Sequence, residues 1–166
     1  ARNITVMTMG LPRQVRPVVT GPASELSADV SPNGRWLAFD SNETGQYEIY
    51  VRPYPDAARE RWTISSTGGR QPVWSPDGRE LFYRDFTGAV FAVPVTTDGP
   101  SLAPGKAVKL FEGTGFTGGG SSGSSQTYDI SPDGRRFVMI KLPGPSQPAL
   151  TVMVNWFSEL TRLVPR

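Results

Sequence analysis

The sequence predicts an all-β fold built from repeated antiparallel sheets. Two observations predict it: a turn motif recurs three times between apolar, β-forming segments, and residues that break helices are frequent. The chain of 166 residues contains 18 Gly and 16 Pro, and both residue types weaken helices. With 37% hydrophobic and 19% charged residues, the chain has enough apolar side chains to bury a core.

The turn motif is Ser-Pro-Asx-Gly, and its three copies start about 44 and then about 56 residues apart. The extra residues of the second interval fall in the Gly- and Ser-rich stretch 113–125, which we expect to be a surface loop. The residues of the motif that we interpret as structural turns are Ser31, Pro32, Asn33, Gly34, Ser75, Pro76, Asp77, Gly78, Ser131, Pro132, Asp133 and Gly134.

Each motif has the chemistry of a tight hairpin turn. Pro presets φ at the first central position, Asn or Asp tolerates the second, and Gly accepts the positive φ that closes the turn. Asn33, Asp77 and Asp133 could also be cation ligands, but we interpret them as turn residues whose side chains bond nearby backbone amides. The flanking apolar segments then become two antiparallel strands.

Further strands follow each hairpin. A third strand is predicted at 47–51, 89–93 and 150–154, and a fourth at 61–65 and 107–111. Each unit is therefore a four-stranded meander of roughly 40–45 residues, which is typical of a β-propeller blade.

The whole chain is interpreted as one propeller segment. Residues 1–22 supply two outer strands of a preceding blade, and complete blades occupy 23–67 and 68–112. The loop 113–125 precedes a last blade and tail at 126–166. This makes about three and a half blades and about 14 strands, whereas propellers have about 4–8 blades. We therefore expect a partial propeller or half-ring, which either belongs to a longer chain or closes by forming a homodimer.

The repeat resembles the TolB-like, or PD40, repeat of WD40-like propellers. The resemblance is carried by Val73–Arg79, which includes the turn motif, and by the Glu-Ile-Tyr-Val strand at 48–51. Residues 128–137 and 154–165 are similar to the C-terminal end of propellers attached to bacterial serine/threonine kinase-like proteins. This resemblance implies a bacterial, non-enzymatic module for protein or peptide interaction or sensing, located outside the cytoplasm. It also implies that Leu163–Pro165 is native, although residues 163–166 equally match half of a thrombin site.

The composition excludes several classes of active site. The chain has no His and no Cys, which rules out a Ser-His-Asp or Cys-His mechanism, disulfides and thiolate metal sites within it. We therefore predict no catalytic residue, no metal and no cofactor. The net charge of +2 is scattered along the chain, so no nucleic-acid partner is expected. No apolar stretch has the length of a membrane span, so no direct membrane insertion is expected.

Two carboxylates are the candidate binding residues. Asp29 and Asp129 occupy equivalent positions, two residues before the turn Ser, where the middle unit has Val73. The first strand of a blade lines the central channel, so the pair could bind a cation or a basic ligand. The alternatives are hydrogen bonds to the neighbouring blade's backbone and a glycosidase-like acid pair.

Two aromatic residues are candidate loop contacts. Tyr54 lies between two prolines, and Phe116 lies in the Gly/Ser-rich stretch. Three functions remain open from the sequence. The first is a non-catalytic interaction or sensing module, the second is an accessory propeller that gates a hydrolase or peptidase domain, and the third is a carbohydrate-binding propeller.

Overall fold

The computed structural model describes residues 1–57, 60–97, 101–112, 116 and 126–141, together with the backbone of 151–153. These residues contain fourteen strands, and every pairing between the strands is antiparallel. The predicted loop 113–125, apart from Phe116, and the predicted tail 154–166 lie outside the described residues. Among the described residues, no helix is long and apolar enough to cross a membrane.

The first sheet has two strands, β1 (Ile4–Met7) and β2 (Val15–Val19). The second sheet is a four-stranded meander of β3 (Glu25–Val30), β4 (Trp36–Ser41), β5 (Glu48–Pro53) and β6 (Trp62–Thr63). Its strands pair in chain order, as expected for one blade.

The third sheet repeats this arrangement with one addition. It contains β7 (Arg70–Trp74), β8 (Glu80–Arg84), β9 (Val90–Thr96), β10 (Ala103–Pro104) and β11 (Val108–Phe111). Strands β10 and β11 pair with different parts of β9, and β11 is the fourth strand that the sequence predicts. The two-residue strand β10 is not predicted.

The described part of the last sheet has three strands. They are β12 (Tyr128–Ile130), β13 (Phe137–Met139) and β14 (Thr151–Met153), and β13 lies in the middle. The all-β class and the antiparallel blades predicted from the repeat are thus confirmed.

Strand alternation places the core between successive sheets. Along β4, Trp36 and Ala38 pack into a cluster shared with the third sheet, while Leu37 and Phe39 pack towards the first sheet. In β8, Leu81 joins the first of these clusters. Its neighbour Phe82 packs towards the last sheet, with its ring perpendicular to that of Phe137 at a centroid distance of 5.1 Å. Because both faces of each complete blade are buried, the sheets stack face to face.

The turn motifs share one hydrogen-bond pattern. In the first copy, the Ser31 hydroxyl donates to Asn33 Oδ1 (2.8 Å) and accepts from the Trp36 amide (3.0 Å). Asn33 Oδ1 also accepts from the Arg35 amide at 3.0 Å. The same contacts recur around Ser75 and Ser131. The Asx side chain of each copy is therefore engaged within its own turn.

Candidate functional site

Asp29 and Asp129 line one open cleft of about 310 Å³. The cleft lies at the first strands of three successive sheets, β3, β7 and β12, which contribute residues from their middle parts, together with one residue just before β12. Its lining consists of Ser27, Ala28, Asp29, Pro72, Val73, Gln126 and Asp129. The repeat therefore brings together the two carboxylates that the sequence analysis singles out.

Asp29 also makes a contact between sheets. Its Oδ2 accepts a hydrogen bond from the backbone amide of Trp74 in the next sheet at 2.8 Å. Burial raises the pKa of Asp29, and the nearby charge of Asp129 raises it further, whereas the bond from Trp74 acts in the opposite direction. The alternative of a hydrogen bond to the neighbouring blade's backbone is therefore realised at Asp29, in a side chain that still lines the cleft.

Asp129 is arranged differently because its neighbour lacks an acceptor. In the third sheet, the position of Asp29 is occupied by Val73, and in the last sheet the position of Trp74 is occupied by Ile130. The side chain of Val73 cannot accept a hydrogen bond from the Ile130 amide. Asp129 Oδ1 accepts from that amide itself, at 2.8 Å. Asp129 is thus held by its own strand and contributes its negative charge to the cleft.

The described residues provide no counter-charge for this pair. Neither Asp29 nor Asp129 forms a salt bridge with another described residue. Among the described residues, no three or more acidic side chains are grouped so that they could hold a metal ion. Two nearby carboxylates in an open cleft favour a ligand that carries positive charge.

Buried polar contacts join neighbouring sheets next to the cleft, at residues that include the chain neighbours of Pro72 and Gln126. Asp40 is the last residue but one of β4. Its Oδ2 accepts a hydrogen bond from Arg70 Nε at 2.8 Å and another from the Gln71 amide at 3.2 Å. Burial raises the pKa of Asp40, although Arg70 opposes this effect. At the next interface, Arg84 Nη1 donates to Thr127 Oγ1 (2.8 Å), which donates to Gln71 Oε1 (2.7 Å). None of these residues was predicted from the sequence as part of the site.

The inner strands bend at equivalent positions. Ser27 in β3 and Gln71 in β7 each precede the turn Ser by four residues, and each has a positive φ, of 47° and 58°. The register of both strands shifts at these points, as at a β-bulge. Only the matching spacing from the turn motif could have indicated that the two positions are equivalent.

The two predicted loop aromatics are both partly packed. Tyr54 is half-buried against the cluster between the first and second sheets, which includes Phe39 and Tyr50. Phe116 forms an isolated bridge with Lys141 and packs against the cluster of the last sheet. The structure therefore keeps these two side chains apart from the Asp29–Asp129 cleft, and their role as binding contacts stays a prediction.

An uncharacterized protein of Agrobacterium fabrum is 31% identical over 117 residues, which make up 68% of this chain. The chain spans 38% of that relative's length. No protein-family profile matches the chain.

Two solved structures have a similar arrangement of strands. The oligogalacturonate lyase of Vibrio parahaemolyticus overlays with a TM-score of 0.56 at 14% identity, over 89% of this chain and 40% of that one. TolB of Acinetobacter baumannii overlays with a TM-score of 0.45 at 17% identity, over 86% of this chain and 44% of that one. Both are β-propeller proteins. The stacked antiparallel blades and the fold shared with the lyase show that the chain is built from the blades of a β-propeller, as predicted from the repeat.

Proposed function

We propose that this propeller segment is a non-catalytic binding module that takes a basic side chain of a protein or peptide in the Asp29–Asp129 cleft. The observation that carries the proposal is the meeting of two carboxylates in one open cleft, where no described residue neutralises them. A Lys ammonium or an Arg guanidinium would supply the missing positive charge and hydrogen-bond donors.

The two carboxylates suit binding better than acid–base chemistry. One oxygen of Asp29 is committed to the Trp74 amide and one oxygen of Asp129 to the Ile130 amide. These bonds restrain the orientation of both side chains, and an ionised carboxylate has further lone pairs with which it can accept hydrogen bonds from a ligand. The sequence also has no His or Cys that could act as a nucleophile or its activating base.

The test uses short peptides of matched shape. Acetyl-Gly-Arg-Gly-amide, the corresponding Lys peptide and the corresponding Gln peptide are titrated into the 166-residue chain, and the amide signals of Trp74 and Ile130 are followed by NMR. We expect the basic peptides to shift both signals and the Gln peptide to leave them unchanged. Because the attraction is electrostatic, added salt is expected to weaken binding.

Conservative variants separate binding from folding. Asp29→Asn and Asp129→Asn each keep a carbonyl oxygen for the backbone amide and remove the charge. We expect the double variant to fold and to bind the Arg peptide about tenfold more weakly, which corresponds to the loss of a charge-assisted hydrogen bond. Glu60→Gln removes the same charge from an exposed loop and is the control. Equal affinity of wild type and double variant would refute the proposal.

A further inference from the structure

A second cleft, of about 260 Å³, lies between the second and third turn motifs. The residues of the cleft that bear on its ligand are Pro76, Asp77 and Glu80 from the third sheet and Ile130, Pro132 and Asp133 from the last sheet. The cleft shares no lining residue with the Asp29–Asp129 cleft. Its volume lies just below that of sites for drug-sized ligands, about 300–1,000 Å³, so it suits a single small ring.

Two tryptophans occupy the equivalent positions between the second and third sheets. Trp36 corresponds to Glu80, because each lies five residues after a turn Ser and its backbone amide donates to the hydroxyl of that Ser. Trp74 corresponds to Ile130, because each directly precedes a turn Ser. Trp36 and Trp74 belong to one core cluster and are only 2% and 4% exposed. The repeat thus fills this place with two indoles at one interface.

At the next interface the same place is open. Glu80 and Ile130 are both smaller than the tryptophans that they replace. Among the lining residues, only Phe82 is larger than its counterpart, Ala38, and its ring is packed against Phe137 within the core. The open cleft is therefore a place where this fold accommodates aromatic rings.

The cleft offers a negative charge without a partner. Glu80 is partly exposed, and its carboxyl makes no hydrogen bond or salt bridge with a described residue. Asp77 Oδ1 accepts from the Ser75 hydroxyl in its own turn at 2.7 Å, and Asp133 pairs with the exposed Arg136 at 3.6 Å. No Lys or Arg lines the cleft. Glu80 is therefore the carboxylate that can accept from a ligand, and the cleft favours a positive charge on that ligand.

We propose that this cleft binds a small aromatic ammonium ion, whose ring takes the place of the two indoles and whose N–H groups donate to the Glu80 carboxylate. The apolar surface for the ring comes from Pro76, Ile130 and Pro132. An ammonium supplies three donors, and its bond to a carboxylate is charge-assisted. A neutral ring would leave Glu80 without a counter-charge, and a small cation without a ring would leave the apolar surface uncovered.

Binding is coupled to the ionisation of Glu80. Burial and then the charge of Asp77 raise the pKa of Glu80 to about 7, so about one tenth of the carboxyl is ionised at pH 6 and about nine tenths at pH 8. Asp133 lines the cleft from the last sheet and keeps its charge over this range, because the Ser131 hydroxyl lowers its pKa. The ammonium binds ionised Glu80, whose proton leaves to solvent. The affinity is therefore expected to rise about tenfold from pH 6 to pH 8.

The experiment separates the ring from the charge. Benzylammonium, benzyl alcohol and methylammonium are titrated into the 166-residue chain, and the backbone amide signals of Glu80 and Gly134 are followed by NMR. We expect benzylammonium to shift both signals in a saturable manner at pH 8 and to bind about tenfold more weakly at pH 6. Benzyl alcohol keeps the ring without the charge, methylammonium keeps the charge without the ring, and each is expected to bind at least about tenfold more weakly than benzylammonium at pH 8. The Trp74 amide reports separately on binding in the Asp29–Asp129 cleft.

Variants decide whether the shift comes from this cleft. Glu80→Gln keeps the shape of the side chain and removes its charge, so we expect it to weaken benzylammonium binding about tenfold at pH 8 and to abolish the pH dependence. Ile130→Trp restores one of the indoles and is expected to block binding; Glu80→Gln decides the matter if this variant does not fold. Glu60→Gln removes an exposed charge and is expected to bind as wild type. No response to benzylammonium, equal affinity for benzyl alcohol, or unchanged binding in Glu80→Gln would overturn the proposal.

Discussion

Glu80 is the residue whose ionisation couples most clearly to folding. Its carboxyl lines a cleft of about 260 Å³ between the second and third turn motifs, where Phe82, Ile130 and Pro132 are its apolar neighbours. Burial and then the charge of Asp77 raise the pKa of Glu80 to about 7. The folded chain thus retains a proton on Glu80 at pH values where the unfolded chain, with an ordinary Glu pKa of 4.5, has lost it.

A protonated Glu80 can be buried in the fold without burying a charge. Its contribution to the free energy of unfolding is fully present below pH 4.5 and is lost as the pH rises towards 7. Glu80→Gln cannot ionise, so we expect it to remove this part of the pH dependence. Because the group is half-buried and screened by solvent, the expected gain at pH 8 is about 1 kcal/mol, or a Tm higher by roughly 3 °C. Thermal unfolding followed by circular dichroism at pH 4 and pH 8 measures this difference.

Glu60→Gln is the matched control for Glu80, since it removes the same type of charge from an exposed position. It is expected to change Tm by less than Glu80→Gln at pH 8. If Glu80→Gln gave the same change in Tm at both pH values, the carboxyl would not be titrating with the raised pKa.

The repeat shows which residues of the candidate site could be predicted. Asp29 and Asp129 are recognisable from the sequence because both stand two residues before a turn Ser, which puts them on equivalent strands. For Asp29, the sequence predicted a hydrogen bond to the neighbouring blade's backbone only as an alternative and without a named partner. The bond from the Trp74 amide depends on how closely the two sheets approach each other. The positive φ of Ser27 and Gln71 could not be predicted from the sequence, because neither residue type is specific for that conformation.

At the scale of the element, the turn glycines offer a clean measure of backbone strain. Gly34 has a φ of 69°, and an added Cβ would meet no atom within 4 Å. Gly34→Ala therefore introduces conformational strain without a clash, and we expect a loss of about 1–2 kcal/mol in the free energy of unfolding. Urea denaturation measures the loss as a lower midpoint with an unchanged slope.

Gly10 supplies the control for this substitution. A Cβ at Gly10 also meets no atom within 4 Å, but its φ is not in the positive range. Gly10→Ala is therefore expected to be neutral or slightly stabilising, because it restricts the unfolded chain. Equal losses for the two variants would show that the left-handed conformation of Gly34 contributes nothing to the requirement for glycine.

Most strands were predictable because each lies at a regular distance from a turn motif and alternates between two buried faces. The strand at 47–51 was predicted one residue early, and β5 extends further, to Pro53. Strand β10 could not be predicted, because two residues that include a Pro carry no periodicity. The polar contacts that Asp40 and Arg84 make between sheets could not be predicted either. The two residues occupy equivalent positions of the repeat, but they differ in charge and in hydrogen-bond partner.

At the scale of the whole molecule, the first sheet is largely exposed among the described residues. It has only two strands, and among the described strands β1 pairs with β2 alone. Met9 and Leu11, in the connection between these strands, are 89% and 90% exposed, and Met7 and Val15 are more than half exposed. An open sheet edge beside an apolar patch is a surface that native proteins usually cover.

We therefore expect the chain to self-associate through the first sheet. In size-exclusion chromatography with light scattering, a dimer of about twice the chain mass of 18.0 kDa should persist over a dilution series. Introducing charge with Met9→Lys and Leu11→Lys should shift the population to monomer without unfolding it, because both side chains are almost fully exposed. Ser66→Lys adds charge at an exposed turn and should leave the dimer intact. A monodisperse wild-type monomer would contradict this expectation, and a dimer that survives both lysine substitutions would place the interface on another sheet.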